Sequence, residues 1–210
     1  MKHESPAAHP ACRRPLAGPL SLAASPAGAP GRDELEAFVC AAFQRRHGAR
    51  VVSFMPTLLS FRDGAGQLRG VVGLREALPQ PLYLEQYLER PVEAAIGGAT
   101  GESVGRGQVV EVGNLAGTNC RAAMRMVAQL PAYLLARDYR WIVFTATAAV
   151  QAMLQAFGAP LIELARADAA RVKDGADHWG SYYQENPRVF AAYLPASRSI
   201  PGFSGMSHGR

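Results

Sequence analysis

Glu111 lies among Val109, Val110 and Val112 in the run Val109 to Ala123, VVEVGNLAGTNCRAA. An acid on so apolar a strand must be paired, hydrogen-bonded or shifted in pKa. Such a carboxylate could act as a general base, taking a proton from an ammonium directly or through water, or it could form a structural ion pair with a nearby arginine. Gly113 suits a bulge, and Gly117, Thr118 and Asn119 offer a tight turn followed by helix-capping side chains. A strand that runs into a helix start in this way can hold a ligand, because the first helical N–H groups attract a phosphate. Asn114, which follows the glycine, could orient a substrate or occupy a bulge position. Cys120, at the helix start, could be a thiolate nucleophile or serve as a small buried side chain.

The densest polar-aromatic cluster is His178, Trp179, Tyr182 and Tyr183. One of its tyrosines could act as a general acid, and the alternative is packing on a sheet edge with a wet hydroxyl. Asp168, followed by Arg171 and Lys173, could hold a cationic group of a ligand or belong to a solvated charged loop. His3, His9, His47 and His208 show no ligand spacing, so no metal is expected. Met124, Met126, Leu130, Leu134 and Leu135 suit either a helix core face or the wall of an apolar tunnel.

The elements that must position these residues follow from periodicity and turn chemistry. Residues 1–31, rich in alanine and proline, read as a disordered arm. Asp33 and Glu36 form a capping pattern ahead of a helix that Gly48 ends. Val51 to Phe61 and Leu68 to Glu76 form a hairpin around DGAGQ, with Pro56 marking an edge or bulge. Short helices are expected at Pro81 to Leu88 and Val92 to Ile96. The strand 108–116, a helix from about Asn119 to Ala136 with a kink at Pro131, and the strand Arg140 to Thr147 come next. A helix Ala148 to Phe157, strands Leu161 to Ala167 and Arg188 to Leu194, and a mobile tail from about residue 196 complete the chain. This order describes a mixed α/β sheet with helices on both faces, in one domain spanning 32–195.

With 210 residues the chain can bury about 70% of its unfolded surface without a metal or disulfide. Three cysteines without CxxC spacing point to a reduced, cytoplasmic protein. The net charge of +5 is carried by scattered arginines, which disfavours nucleic acid and suits an acidic protein or anionic substrate. No apolar run is long enough for a transmembrane segment.

This order of elements resembles the GNAT-type N-acyltransferase fold over residues 32–195. EVGNLA, WIVFTAT, the ARAD segment and WGSYY resemble the thermostable hemolysin family, itself similar in layout to acyl-homoserine-lactone synthases. GVVGLREA followed by PLYLEQYL also resembles the early part of those synthases. The resemblance implies a mostly antiparallel mixed sheet whose central parallel pair splays, here Val109 to Ala116 beside Trp141 to Thr147. The pantetheine arm of an acyl donor would lie in the opening, near Val112, Gly113, Leu115 and Thr145, with its phosphate at Gly117, Thr118, Asn119 and Arg121. Glu111, Asn114 and Tyr182 would be catalytic, and Asp168, Trp179 and Tyr183 would bind the acceptor.

Two departures refine what the resemblance implies. The usual phosphate loop Q/R-x-x-G-x-G/A is here N-L-A-G-T-N, with a side chain at Asn119 where approach to a pyrophosphate favours glycine or alanine. That points to acyl carrier protein, which presents a single phosphate, with acyl-CoA as second choice and no tightly bound cofactor. The synthase motif E-x-S-R is here E-V-G-N, which keeps the acid, loses the arginine and disfavours lactone formation from S-adenosylmethionine. The expected activity is transfer of a fatty acyl group from a thioester to an amine such as an amino acid. The competing readings are a membrane-active protein and a non-catalytic acyl- or pantetheine-binding module of the same fold.

Overall fold

The computed structural model describes residues 20–195, apart from 157, 173 and 174. Seven strands form one sheet in the order β1-β2-β3-β4-β5-β7-β6, where β1 is Ser21–Pro26, β2 Thr57–Arg62, β3 Leu68–Glu76, β4 Val109–Gly117, β5 Trp141–Ala146, β6 Ile162–Arg166 and β7 Arg188–Tyr193. Every neighbouring pair is antiparallel except β4 and β5. Four helices cover the sheet: α1 (Arg32–His47), α2 (Val92–Thr100), α3 (Cys120–Leu135) and α4 (Ala148–Ala156).

The period of two along each strand separates the layers. Leu58, Val71 and Ala116 meet Leu35 and Val39 of α1, and Val109, Trp141 and Val143 meet Val92 and Ile96 of α2. One residue further along, Leu59, Val72 and Val110 meet Met126, Leu130 and Leu134 of α3, while Phe144 meets Val150 and Leu154 of α4. Helices therefore cover both faces. α3 lies close to β3 because residue 70 is glycine: a Cβ there would stand 2.1 Å from Met126 Sδ.

The structure corrects several expectations. Residues 21–26 of the expected disordered arm form an edge strand in register with β2, from Ser21 opposite Arg62 to Pro26 opposite Thr57. Arg32, 6% exposed, anchors this segment through Nη1 to the Ser25 carbonyl at 2.8 Å and Nη2 to the Met55 carbonyl at 2.7 Å, with Nε on Glu36. The ordered domain thus starts before residue 32. The first strand of the hairpin is Thr57–Arg62, shorter than Val51 to Phe61, and α1 begins on Gly31 at φ 75° with no side-chain cap from Asp33. Tyr83–Tyr87 is a single 3₁₀ turn. His3, His9, Cys12, His208, Lys173 and the tail from 196 lie outside the described residues.

Candidate active site

The site begins with a change of register. Val71 faces Ala116 and Gly73 faces Gly113, so Asn114 and Leu115 together oppose Val72 and β4 bulges. Asn114 takes the left-handed conformation at φ 46°, which asparagine tolerates better than most side chains, and its Oδ1 accepts the Met55 N–H at 2.9 Å. Glycine on both strands beneath that contact makes room for the Met55 side chain. A Cβ at Gly113 would stand 2.4 Å from Met55 Cε, and one at Gly73 would stand 2.6 Å from Met55 Cγ.

A bulge strengthens local twist, and β4 turns away from β5 where it occurs. Parallel pairing runs from Val109 opposite Trp141 to Val112 opposite Phe144 and then stops. Beyond that point β4 stays with β3, while β5 stays with β7 through Thr145 and Ala146. The strands part, and a cavity of about 220 Å³ passes between them from one face of the sheet to the other.

Glu111 stands at the last paired turn before the opening, 2% exposed and lining the cavity. Its Oε2 accepts the Tyr83 N–H at 2.7 Å and its Oε1 accepts the Leu84 N–H at 3.1 Å, so the carboxylate caps the 3₁₀ turn. Burial pushes its pKa up to about 7, against the lowering effect of those N–H groups and of Arg75. Half of it is therefore ionised near neutral pH, the range in which a base is most effective.

A second carboxylate holds the turn from outside. Glu85 accepts the Leu82 and Val92 N–H groups at 2.7 and 2.8 Å, and Arg106 closes on both its oxygens at 2.7 Å. Arg106 also reaches Glu93 and the Ala77 carbonyl. Burial alone would raise the Glu85 pKa, but the guanidinium and the two N–H groups overcome it and hold the carboxyl below its ordinary range.

Trp179, Tyr182 and Tyr183 of the aromatic cluster line the cavity on the Glu111 face, whereas His178 lies outside its lining, with Nδ1 3.4 Å from Arg50 Nη2. Trp179 lies 5.4 Å from Tyr182 and 6.2 Å from Phe43 between ring centroids, and Tyr182 lies 5.3 Å from the His47 ring. The Tyr182 hydroxyl donates to the Thr145 carbonyl at 3.4 Å, and burial raises its pKa, so it stays protonated. Tyr87 and Tyr183 share a hydrogen bond of 2.5 Å; burial brings Tyr183 up to about 12. On the opposite face the wall is apolar, formed by Val127, Leu130 and Pro131 of α3, Ile142 and Phe144 of β5, and Val150 and Leu154 of α4.

The profile of the family described as thermostable hemolysin matches residues 25–198. The chain belongs to the thermostable hemolysin family. No curated protein matches it. Among solved structures, it is similar to the acyl-homoserine-lactone synthase LasI at 14% identity and TM-score 0.60, covering 90% of this chain and 98% of that one. It is also similar to FeeM, an N-acyl amino acid synthase from uncultured soil microbes, at 15% identity and TM-score 0.57, covering 86% and 94%. The CoA-dependent acyl-homoserine-lactone synthase BjaI, solved with SAM and isopentyl-CoA, matches at 13% identity and TM-score 0.51, covering 91% and 95%. At these identities the likeness is one of fold: the hemolysin-family chain has the GNAT-like acyltransferase fold.

Of the residues singled out in the sequence, Glu111, Val112, Gly113, Asn114, Leu115, Thr145, Trp179, Tyr182 and Tyr183 line the one cavity. The helix-start group stands apart from its lining. Thr118 N–H bonds the Arg69 carbonyl, Asn119 caps α3 by accepting the Ala122 N–H at 2.9 Å, and Cys120 is exposed. Asp168 lies elsewhere, in a groove with Glu163 and Arg171, and its carboxylate caps its own 3₁₀ turn at Ala170. Among the described residues no cluster of three His, Cys, Asp or Glu side chains could hold a metal, and no helix is long and apolar enough to cross a membrane.

Two basic lining residues escaped sequence reasoning as members of the site. Arg75, the next to last residue of β3, faces Glu111 in register. His47 ends α1, with Nδ1 3.4 Å from Glu185 Oε1, and burial lowers its pKa so that the ring is neutral at pH 7. In a family with a hairpin this close to the splay, the charged residue opposite the buried acid is the signal that would have found Arg75.

Proposed function

We propose that this chain is an N-acyltransferase that moves a fatty acyl group from a phosphopantetheine thioester to an amine. The observation that carries the reading is the parted β4–β5 pair with a buried carboxyl, Glu111, beside the point of divergence. Beyond Val112 the edge of β4 that faces β5 has no strand partner among the described residues, and this edge, from Gly113 to Leu115, suits the amides of pantetheine and a polarised thioester carbonyl. The fold likeness to an N-acyl amino acid synthase and to acyl-homoserine-lactone synthases supports transfer to an amine.

In this reading Glu111 takes one proton from the acceptor ammonium, and the free amine attacks the thioester carbonyl carbon. The C–N bond forms as the C–S bond breaks. The second nitrogen proton ends on the pantetheine thiol, with Tyr182 giving its proton to sulfur and regaining one from nitrogen. The acyl chain lies along the apolar wall of α3 and α4.

Acyl carrier protein is the favoured donor. Asn119 already occupies the Ala122 N–H, one of the donors a pyrophosphate would use, and a chain of net charge +5 suits an acidic carrier. The family name points to lysis; we ascribe it to a surfactant-like acylated product. Incubation with acylated carrier protein, or with acyl-CoA, and a pool of amines should give an amide by mass spectrometry, faster from the carrier. No amide from either donor, together with dye release from liposomes by the protein alone, would overturn the reading; equal turnover of both donors would remove only the carrier preference.

A further inference from the structure

Arg75 and Glu111 are opposite one another on β3 and β4, and both line the cavity. Arg75 is the only lysine or arginine among the lining residues, and Glu111 is the only acid. The Arg75 Nε is buried with no hydrogen-bond partner among the described residues, and no carboxylate among them closes on the guanidinium as an ion pair. Its charge reaches Glu111 only through space. A buried N–H without an acceptor is rare in folded proteins and points to an acceptor that arrives with a ligand.

The spacing limits what that ligand can be. Side chains directly opposite on antiparallel strands have Cβ atoms about 5 Å apart. A molecule that bridges them must therefore offer an anion and a cation on neighbouring atoms, as an α-amino acid does from one carbon. Its third substituent would meet the rings of Phe43, Trp179 and Tyr182. The hydroxyls there are already engaged, Tyr182 with Thr145 and Tyr87 with Tyr183, so the surface offered is apolar.

We propose that the acceptor is an α-amino acid with a large apolar side chain, its carboxylate held by Arg75 and its ammonium facing Glu111. This rests on the reading of the cavity as a site of acyl transfer to an amine. A simple amine would leave the guanidinium unmatched, and an acidic amino acid would bring a second carboxylate with no cation to meet it. Arg75 presents a fork that can bind a carboxylate with two parallel N–H donors, which a lysine cannot do.

Calorimetric titration of the full chain, without acyl donor, tests the assignment with L-phenylalanine, phenethylamine and L-aspartate. The wild type should bind phenylalanine about 10- to 100-fold more tightly than phenethylamine, as a charge-assisted pair allows. The ratio should fall to near one in Arg75→Met and be intermediate in Arg75→Lys. Equal binding of phenylalanine and phenethylamine by the wild type, or a preference unchanged in Arg75→Met, would overturn the carboxylate anchor. Aspartate binding as tightly as phenylalanine would overturn the apolar side chain. The comparison of ligands on the wild type stands even if a variant folds poorly. Amide formation without carboxylate discrimination would sink this assignment and leave acyl transfer standing; carboxylate-dependent binding with no amide from any donor would do the reverse.

Discussion

On the Glu111 side of the parted strands the cavity wall is held by directional polar bonds, whereas on the α4 side it is held by apolar contact. Glu111 fixes the N–H groups of Tyr83 and Leu84, Glu85 fixes those of Leu82 and Val92, and Arg106 fixes Glu85. No residue of α4 is buried, and its Val150 and Leu154 rest half-buried against Phe144 and Phe190. The difference matches two tasks. Proton transfer and nucleophilic attack lose rate steeply with small displacements, while a run of methylenes needs only apolar volume. The first wall is rigid where chemistry would occur, and the second can vary without disturbing it.

The sharpest break of that contrast is Glu111→Gln. Turnover should fall about 10²- to 10⁴-fold with the circular dichroism spectrum preserved. In the wild type the rate should rise with pH through about 7, where Glu111 ionises, and the variant should lose that limb. Stability has the opposite sign. A carboxyl whose pKa is raised from 4.5 to about 7 favours the fold fully below 4.5, and that contribution is lost as the pH rises through 7. Wild-type rates and pH profile in the variant would reduce Glu111 to a cap for the 3₁₀ turn.

A smaller effect should come from the outer brace. Arg106→Ala leaves Glu85, whose side chain is 12% exposed, without its cation, and unfolding in urea at pH 7 should show a loss of about 3 kcal/mol. Glu85 has a lowered pKa, so its contribution is present above its ordinary value and is lost as the pH falls through the folded one. The deficit of Arg106→Ala should therefore shrink in acid. Equal stability at pH 7 would show that the polar wall does not depend on its brace.

Much of the apparatus was legible because it rests on side-chain patterns. Glu111 stood out as a charge in a β-forming run, and Gly113 with Asn114 marked a bulge, where Asn114 takes a left-handed conformation that few other side chains suit. The partners of Glu111 were invisible, since they are backbone N–H groups of a turn 27 and 28 residues away. Arg75 was not singled out within the strand Leu68 to Glu76, and His47, one of three basic residues in the last turn of α1, was weighed only as a metal ligand. β1 was missed for a different reason: SLAASP has weak strand propensity and mostly exposed side chains, and it is ordered by pairing with β2 and by the Arg32 anchor. The α3 start was legible as a turn followed by a cap, and Asn119 accepts the Ala122 N–H there.

The smallest expected effect on stability belongs to the apolar wall, where Leu154→Trp adds bulk to a half-buried position of α4. Urea unfolding should change by about 1 kcal/mol or less, because no residue of α4 is itself buried. The acyl length accepted should shorten: each methylene denied burial costs about 0.8 kcal/mol, or roughly fourfold in relative kcat/KM. Competition among donors of graded chain length, with products resolved by mass spectrometry, measures this directly. An unchanged length preference would mean that the chain runs elsewhere, and the assignment of the two walls to chemistry and to acyl binding would then fail on its weaker side while the polar wall kept its role.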